Sequence, residues 1–305
     1  MQGRRYILAP LAVVALCLGA ATAAYADPLV VTTTSSATTL ANSLIGSGSG
    51  ITITGATYAG AATASGTFTG GTGVIGFESG ILLTSGNADF VVGPNNDSAA
   101  GVDNGAPGTS LISNSFNASI LTITFIPTGS NVQFSYVFGS EEYNEFVNSQ
   151  FNDAFRFFVN GTNFALIPGT SIPVEINTVN NGFSPSGTVA TGPCTNCAFY
   201  IDNNDSHLNT QLDGLTTVLS FVATVNPGVE NTLQLVIADR SDAILDSAVF
   251  IRAGSFSVCG GPNQPPCGTE PVPEPTTMLL LGSGLAGVAA EIRRRRKSET
   301  GHCSK

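Results

Sequence analysis

The sequence predicts an all-β protein, an antiparallel β-sandwich of jelly-roll-like type, with an N-terminal signal peptide and a single C-terminal transmembrane helix. Three observations predict it. Apolar residues alternate with polar ones through Leu121, Ile123 and Phe125, and again through Val132, Phe134, Tyr136 and Phe138. That period of two marks strands packed on one face and wet on the other. Turn residues such as Gly93-Pro94-Asn95-Asn96-Asp97 and Asp103-Asn104-Gly105 punctuate the chain, while the body offers a single helical pattern.

Taken in order, residues 1–26 carry Arg4 and Arg5, an apolar run from Ile7 to Ala20, and the small-residue site Ala24-Tyr25-Ala26. This is the layout of a secretory signal, cut by signal peptidase after Ala26. Ala37 to Ile45 places Leu40, Leu44 and Ile45 on one helical face and stops at Gly46, a helix with a glycine terminator. Short strands are expected at Ile51 to Thr54, Val74 to Phe77 and Gly80 to Thr84, followed by loop from Phe90 to Asn117. From Ile120 the strand signal strengthens. Runs containing Phe155, Phe157 and Val159, then Val218 to Val225, then Leu233, Leu235 and Ile237, and last Ala248 to Val258, bring the sandwich to at least six strands. One domain is expected over residues 27–258, then a Pro/Gly linker over 259–272.

Charge is unevenly placed. Of 305 residues, 11 are Lys or Arg and 21 are Asp or Glu. Between Asp27 and Glu270 the only basic residues are Arg156, Arg240 and Arg252, against 18 acidic ones. A body this acidic excludes nucleic-acid binding through phosphate contacts. It suits divalent cations, or solubility outside the cell.

Four of the six cysteines lie in the exported body: Cys194 and Cys197, and Cys259 and Cys267. An even number in an exported chain points to disulfides, with three pairings open and local pairing of each couple preferred. Four-thiolate zinc lacks the second Cys-x-x-Cys that such sites use.

The C-terminus has three parts. Val272-Pro273-Glu274-Pro275 is a rigid hinge that no helix passes through. Thr276 to Ile292 is apolar and would rise about 26 Å as a helix, near the short end for a bilayer core. Arg293, Arg294, Arg295, Arg296 and Lys297 then stay cytoplasmic, which places the body outside. In order and composition this stretch resembles the PEP-CTERM sorting signal of bacterial surface proteins. The resemblance implies transient anchoring in the inner membrane of a Gram-negative cell and cleavage by an exosortase near Pro273-Glu274-Pro275. Residues 273–297 form that signal and 298–305 a cytoplasmic tail.

Three acidic clusters abut strands in the body. Glu141, Glu142 and Glu145 precede Asp153, Asp202 and Asp205 precede Asp213, and Asp239 and Asp242 precede Asp246. Carboxylates and Asn carbonyls gathered at strand ends are the oxygen ligands that calcium takes, six to eight at a time. No cluster has the spacing of an EF-hand loop, and separate solvated turns are the bland alternative. Glu141, Glu142, Asp153, Asp239, Asp242 and Asp246 are the candidate calcium ligands by this chemistry.

The stretches Gly76-Phe-Glu-Ser-Gly80, Gly139-Ser-Glu-Glu-Tyr143, Phe151-Asn-Asp153 and Asp246-Ser-Ala-Val-Phe250 resemble the choice-of-anchor L domain, a secreted bacterial module found with alternative C-terminal anchors. The resemblance carries no activity with it. Catalysis finds little support in the residues. His207, the body's single histidine, neighbours Ser206 and Asp205 in one polar turn, which is not the arrangement of a Ser-His-Asp triad. A glycosidase could draw on Glu141, Glu142 and Asp153, but the chain has no Trp on which to stack a sugar. The expectation is therefore a calcium-stabilised, non-enzymatic binding module at the cell surface or in the extracellular matrix. Its partners would be extracellular polysaccharide or another surface protein. A carbohydrate-active enzyme and a passive matrix protein are the alternatives.

Overall fold

A computed structural model describes residues 28–184, 192–262 and 264–268. The signal sequence, the hinge, the apolar tail and the arginine cluster lie outside the described residues. Among those described, no helix is long and apolar enough to cross a membrane.

Strand β1 (Val30–Thr33) and helix α1 (Ala37–Leu44) lead into β2 (Ile51–Ala59), β3 (Ser65–Thr69) and β4 (Gly80–Thr84). The long strands β5 (Ser115–Pro127) and β6 (Asn131–Ser140) come next, then β7 (Ala154–Val159) and β8 (Thr162–Asn163). The chain closes with β9 (Tyr200–Asp202), β10 (Gly214–Thr216), β11 (Leu219–Thr224), β12 (Asn231–Arg240), β13 (Ser247–Arg252) and β14 (Ser257–Val258).

These strands form two antiparallel sheets. One runs β1-β3-β4-β13-β6-β10-β9, with β11 and β14 also on β6, and the other runs β2-β5-β12-β7-β8. The pairs β4 with β13, β5 with β12, β6 with β11 and β7 with β8 nest inside one another along the chain. That nesting is the double Greek key of a jelly roll, the sandwich type expected for this chain.

The core between the sheets is aromatic. Leu121, Ile123 and Phe125 of β5 are fully buried and share a cluster with Phe134, Tyr136 and Phe138 of β6 and with Phe155 and Phe157 of β7. The Phe134 ring lies 4.1 Å from that of Phe221 and 4.9 Å from that of Phe157. Helix α1 starts on Ser36, whose hydroxyl accepts from the Thr39 amide at 3.3 Å, an N-cap worth about 1 kcal/mol. Its Leu40, Ala41 and Leu44 join the same core.

Two expectations fail. The larger sheet does not have one wet face: β4 is buried at every position and β6 at every position after Asn131. A second apolar cluster explains this. Val137 of β6, Leu82 of β4 and Phe250 of β13 turn outward, where Leu29, Phe68, Val74, Phe77 and Leu215 cover them. Val74 to Phe77 is also no strand. The amides of Val74, Ile75 and Gly76 all donate to the Gly71 carbonyl at 2.7–3.1 Å. Glycine-rich backbone wraps into a turn there, and the apolar side chains serve as a lid on the sheet.

Both disulfides are local, Cys194 with Cys197 and Cys259 with Cys267. The second holds the segment after β14 against β6, where the Cys259 amide donates to the Asn131 carbonyl at 3.0 Å.

Candidate metal centre

Antiparallel pairing brings many strand ends to one end of the sandwich. Ser140 at the close of β6 faces both Ser247 at the start of β13 and Gly214 at the start of β10. Thr84 at the close of β4 faces Ala248, and Ala154 at the start of β7 faces Ala238 near the close of β12. Each candidate carboxylate sits at such an end. Glu141 and Glu142 follow β6, Asp153 precedes β7, Asp239 is in the last turn of the β12 ladder, Asp242 follows it and Asp246 precedes β13.

Five of the six are withdrawn from solvent: Glu141, Asp153, Asp239 and Asp246 are 0 % exposed and Glu142 is 1 % exposed. Burial of so many carboxylates is unusual, because a charged group leaves water at a cost of several kcal/mol unless it is paired. Asp153 is well paired. Its Oδ1 accepts from the Arg240 amide at 2.8 Å and its Oδ2 from the Ser247 hydroxyl at 2.7 Å, a bond that ties the two sheets together. The others are paired at one oxygen or at none. Asp239 Oδ2 accepts from Asn117 Nδ2 at 3.1 Å and Asp246 Oδ2 from the Val102 amide at 3.0 Å. Asp239 Oδ1, Asp246 Oδ1, Glu142 Oε2, Asp242 Oδ1 and both oxygens of Glu141 are buried without a hydrogen-bond partner among the described residues.

Electrostatics agrees with the geometry. Burial, then the nearby Asp242, Asp239 and Glu145, push the Glu142 carboxyl up to about 9. Asp153 and Asp239 are also raised, first by burial and then by negative neighbours: Glu142 acts on Asp153, and Asp153 and Asp246 act on Asp239. Burial lifts Asp246 to about 7. Among the described residues, no cation is paired with this group. Arg156 pairs with Glu175, and the Arg240 guanidinium lies 3.8 Å from the same carboxylate. Arg252 is at the far end of β13, opposite Gly80.

The structure divides the six candidates. Glu142, Asp153, Asp239, Asp242 and Asp246 are electrostatic neighbours in one group. Glu141 is adjacent to Glu142 in the chain but faces Asp213 and Asp97 instead. Both residues lie in the bend that follows β6, and that bend gives them different neighbours. Among the described residues, no three Asp, Glu, His or Cys side chains close on a single point as a finished metal cage. Asn117, Ser247 and Asp213 escaped the sequence reading as members of the site. Asp213 stood in a visible acidic stretch and Ser247 beside Asp246 in another, whereas Asn117 carries no signal in a single sequence.

Beside this group lies an open polar cavity of about 370 Å³, lined by Asn114, Ser149, Gln150, Asn152, Arg240 and Ser241 among others. Ser241 and Asn152 are the chain neighbours of Asp242 and Asp153. His207 and Asp205 form an exposed pair in a turn, with no triad around them.

A family model of the choice-of-anchor L domain matches residues 29–257. The chain belongs to the choice-of-anchor L family. A model of the PEP-CTERM protein-sorting motif matches residues 271–297, which include Pro273, Glu274, Pro275 and Arg293 to Arg296. This choice-of-anchor L protein is therefore exported to the cell surface, anchored transiently in the membrane and processed by an exosortase. Both families point to a non-enzymatic surface protein. Comparison with curated proteins and with solved structures returns no match. The choice-of-anchor L match spans the whole carboxylate group, so the group belongs to the domain and not to the sorting tail.

Proposed function

We propose that this protein is a calcium-stabilised adhesion module of the cell surface or extracellular polysaccharide matrix. The observation that carries the reading is the set of buried carboxylate oxygens without partners. Buried polar atoms in folded proteins are nearly always satisfied, and an exception calls for an ion, a water or a proton. Hard oxygen donors without histidine or thiolate suit calcium, which tolerates irregular geometry at about 2.3–2.6 Å. Glu142, Asp239, Asp242 and Asp246 would supply ligands, with Asp153 holding the two sheets in place behind them. Binding would draw these side chains inward and lock the loops at this end of the sandwich. Those loops carry the Asn- and Ser-lined cavity, whose amides and hydroxyls match the hydroxyls of a sugar and whose Arg240 matches an acidic one.

The test is a thermal melt of the full chain in detergent, purified from an oxidising compartment, with EDTA and then with millimolar calcium. An extracellular-type site with Kd of about 10⁻⁴ M would add roughly 1–3 kcal/mol at 1–10 mM calcium. Equal magnesium should do much less. Asp239→Asn should remove the part of the calcium gain that comes from this group while leaving the metal-free protein folded. A melt indifferent to calcium in the wild type would reduce these clusters to protonated turns and the protein to a passive matrix component. The adhesion half is read separately, by retention on an acidic polysaccharide in calcium: Arg240→Ala should weaken it at least several-fold without moving the melt.

A further inference from the structure

Glu141 stands apart from this group, and its surroundings point to a second site. It is 0 % exposed and neither of its carboxylate oxygens has a partner among the described residues. Across from it Asp213 is 2 % exposed. Asp213 Oδ1 accepts from Asn95 Nδ2 at 2.6 Å, and its Oδ2 is buried without a partner. The Ala100 backbone and the Gln211 side chain are near enough to Glu141 to favour its charged form, though outside hydrogen-bond geometry, and Gln211 Nε2 donates to the Asp97 carbonyl at 2.7 Å. Asp97, Asp202 and Glu145 add negative charge around Asp213. Among the described residues, no arginine or lysine acts on Glu141 or Asp213.

We propose that Glu141 and Asp213, held in place by the side-chain amides of Asn95 and Gln211, bind a second calcium ion, separate from the one at Asp239. It rests on the same view of unpartnered buried carboxylates but uses different ligands. The donors are all hard oxygens, which excludes a thiolate- or imidazole-seeking metal such as zinc. The frame around them is already built. Asn95 Nδ2 also donates to the Asn203 carbonyl at 3.1 Å, and the Ser206 hydroxyl donates to the Asn95 carbonyl at 2.7 Å. Asn203 in turn bonds the Leu212 carbonyl at 2.8 Å. A cation here would clamp the loop after β4 and the loop before β10 onto the end of β6. The first ion would clamp the β12–β13 turn. Together they would pin both sides of the same sandwich end.

Calorimetric titration of the metal-free full chain in detergent with calcium, near neutral pH, separates the possibilities. Wild type should take up two calcium ions. Glu141→Gln and Asp213→Asn should each take up one, Asp239→Asn should take up one, and Glu141→Gln with Asp239→Asn should take up none. If only the site at Asp239 is absent, wild type binds one ion, Glu141→Gln loses it and Asp239→Asn keeps it. Folded Glu141→Gln and Asp213→Asn proteins with unchanged stoichiometry would overturn the second site, and a proton shared by the two carboxyls would then explain their burial. Terbium in place of calcium guards against variants that do not fold. Tyr200 is a near neighbour of Asp213, so in the wild type tyrosine-sensitised terbium emission that calcium displaces supports the site. Its absence counts against it.

Discussion

Stripped of calcium, this protein should lose at least about 3 kcal/mol of stability between about pH 5 and 7.5, and calcium should cancel or reverse that loss. The sign follows from the direction of the pKa shifts. A carboxyl raised by folding binds its proton more tightly in the native state than in the unfolded chain. Its stabilisation is complete below the unfolded value and is lost as pH rises through the folded value. Here the unfolded values are 3.8 for Asp and 4.5 for Glu. The folded values are about 7 for Asp213 and Asp246, about 9 for Glu142 and about 10 for Glu141, in each case chiefly from burial. Each such group costs about 1.4 kcal/mol per pH unit within its window. Several windows overlap between pH 5 and 7, so even with generous relaxation the sum is several kcal/mol. Calcium competes with protons for the same oxygens and binds more tightly as they ionise. Urea midpoints measured in EDTA at three pH values, then in calcium, test this. Metal-free stability that rises from pH 5 to 7.5 would mean that these carboxylates are compensated by something other than protons or cations.

Phe134→Ala should cost about 3–5 kcal/mol. Phe134, with Tyr136, carries β6 onto the opposite sheet. Its ring lies 4.9 Å from Phe157 of β7, 4.1 Å from Phe221 of β11, 6.1 Å from Tyr136 and 6.2 Å from Phe256. Removing it opens a cavity walled by rings on several strands. Rigid ladders on both sides prevent collapse, so the cavity term adds to the lost transfer energy. Phe116, 40 % exposed at the start of β5, is the contrast, and Phe116→Ala should cost under about 1 kcal/mol. Equal costs in urea unfolding at fixed pH and calcium would show that the aromatic cluster does not organise the fold.

The long strands were legible because β5 and β6 alternate over many residues against a strongly apolar inner face. Strands β9 and β10 were not. Each is three residues long, too short for a period to emerge, and each exists because a partner strand supplies its hydrogen bonds. Val74 to Phe77 misled for the opposite reason. It has the composition of a strand, but its glycines let three amides converge on one carbonyl. The acidic clusters were visible as residues near strand ends. Their division was not, because Glu141 and Glu142 look equivalent in the chain while the bend after β6 gives them different neighbours.

By itself the sequence determined the export and sorting of this protein, its all-β class, the local pairing preferred for its cysteines and the fact that carboxylates crowd its strand ends. Those properties live in composition, local period and short motifs. Only the tertiary structure decided the jelly-roll closure, the burial of both faces of the larger sheet, and the meeting of Glu141 with Asp213 and of Asp153 with Ser247. Antiparallel register joins residues far apart in the chain, and a shift of one residue would exchange every inward side chain for its outward neighbour.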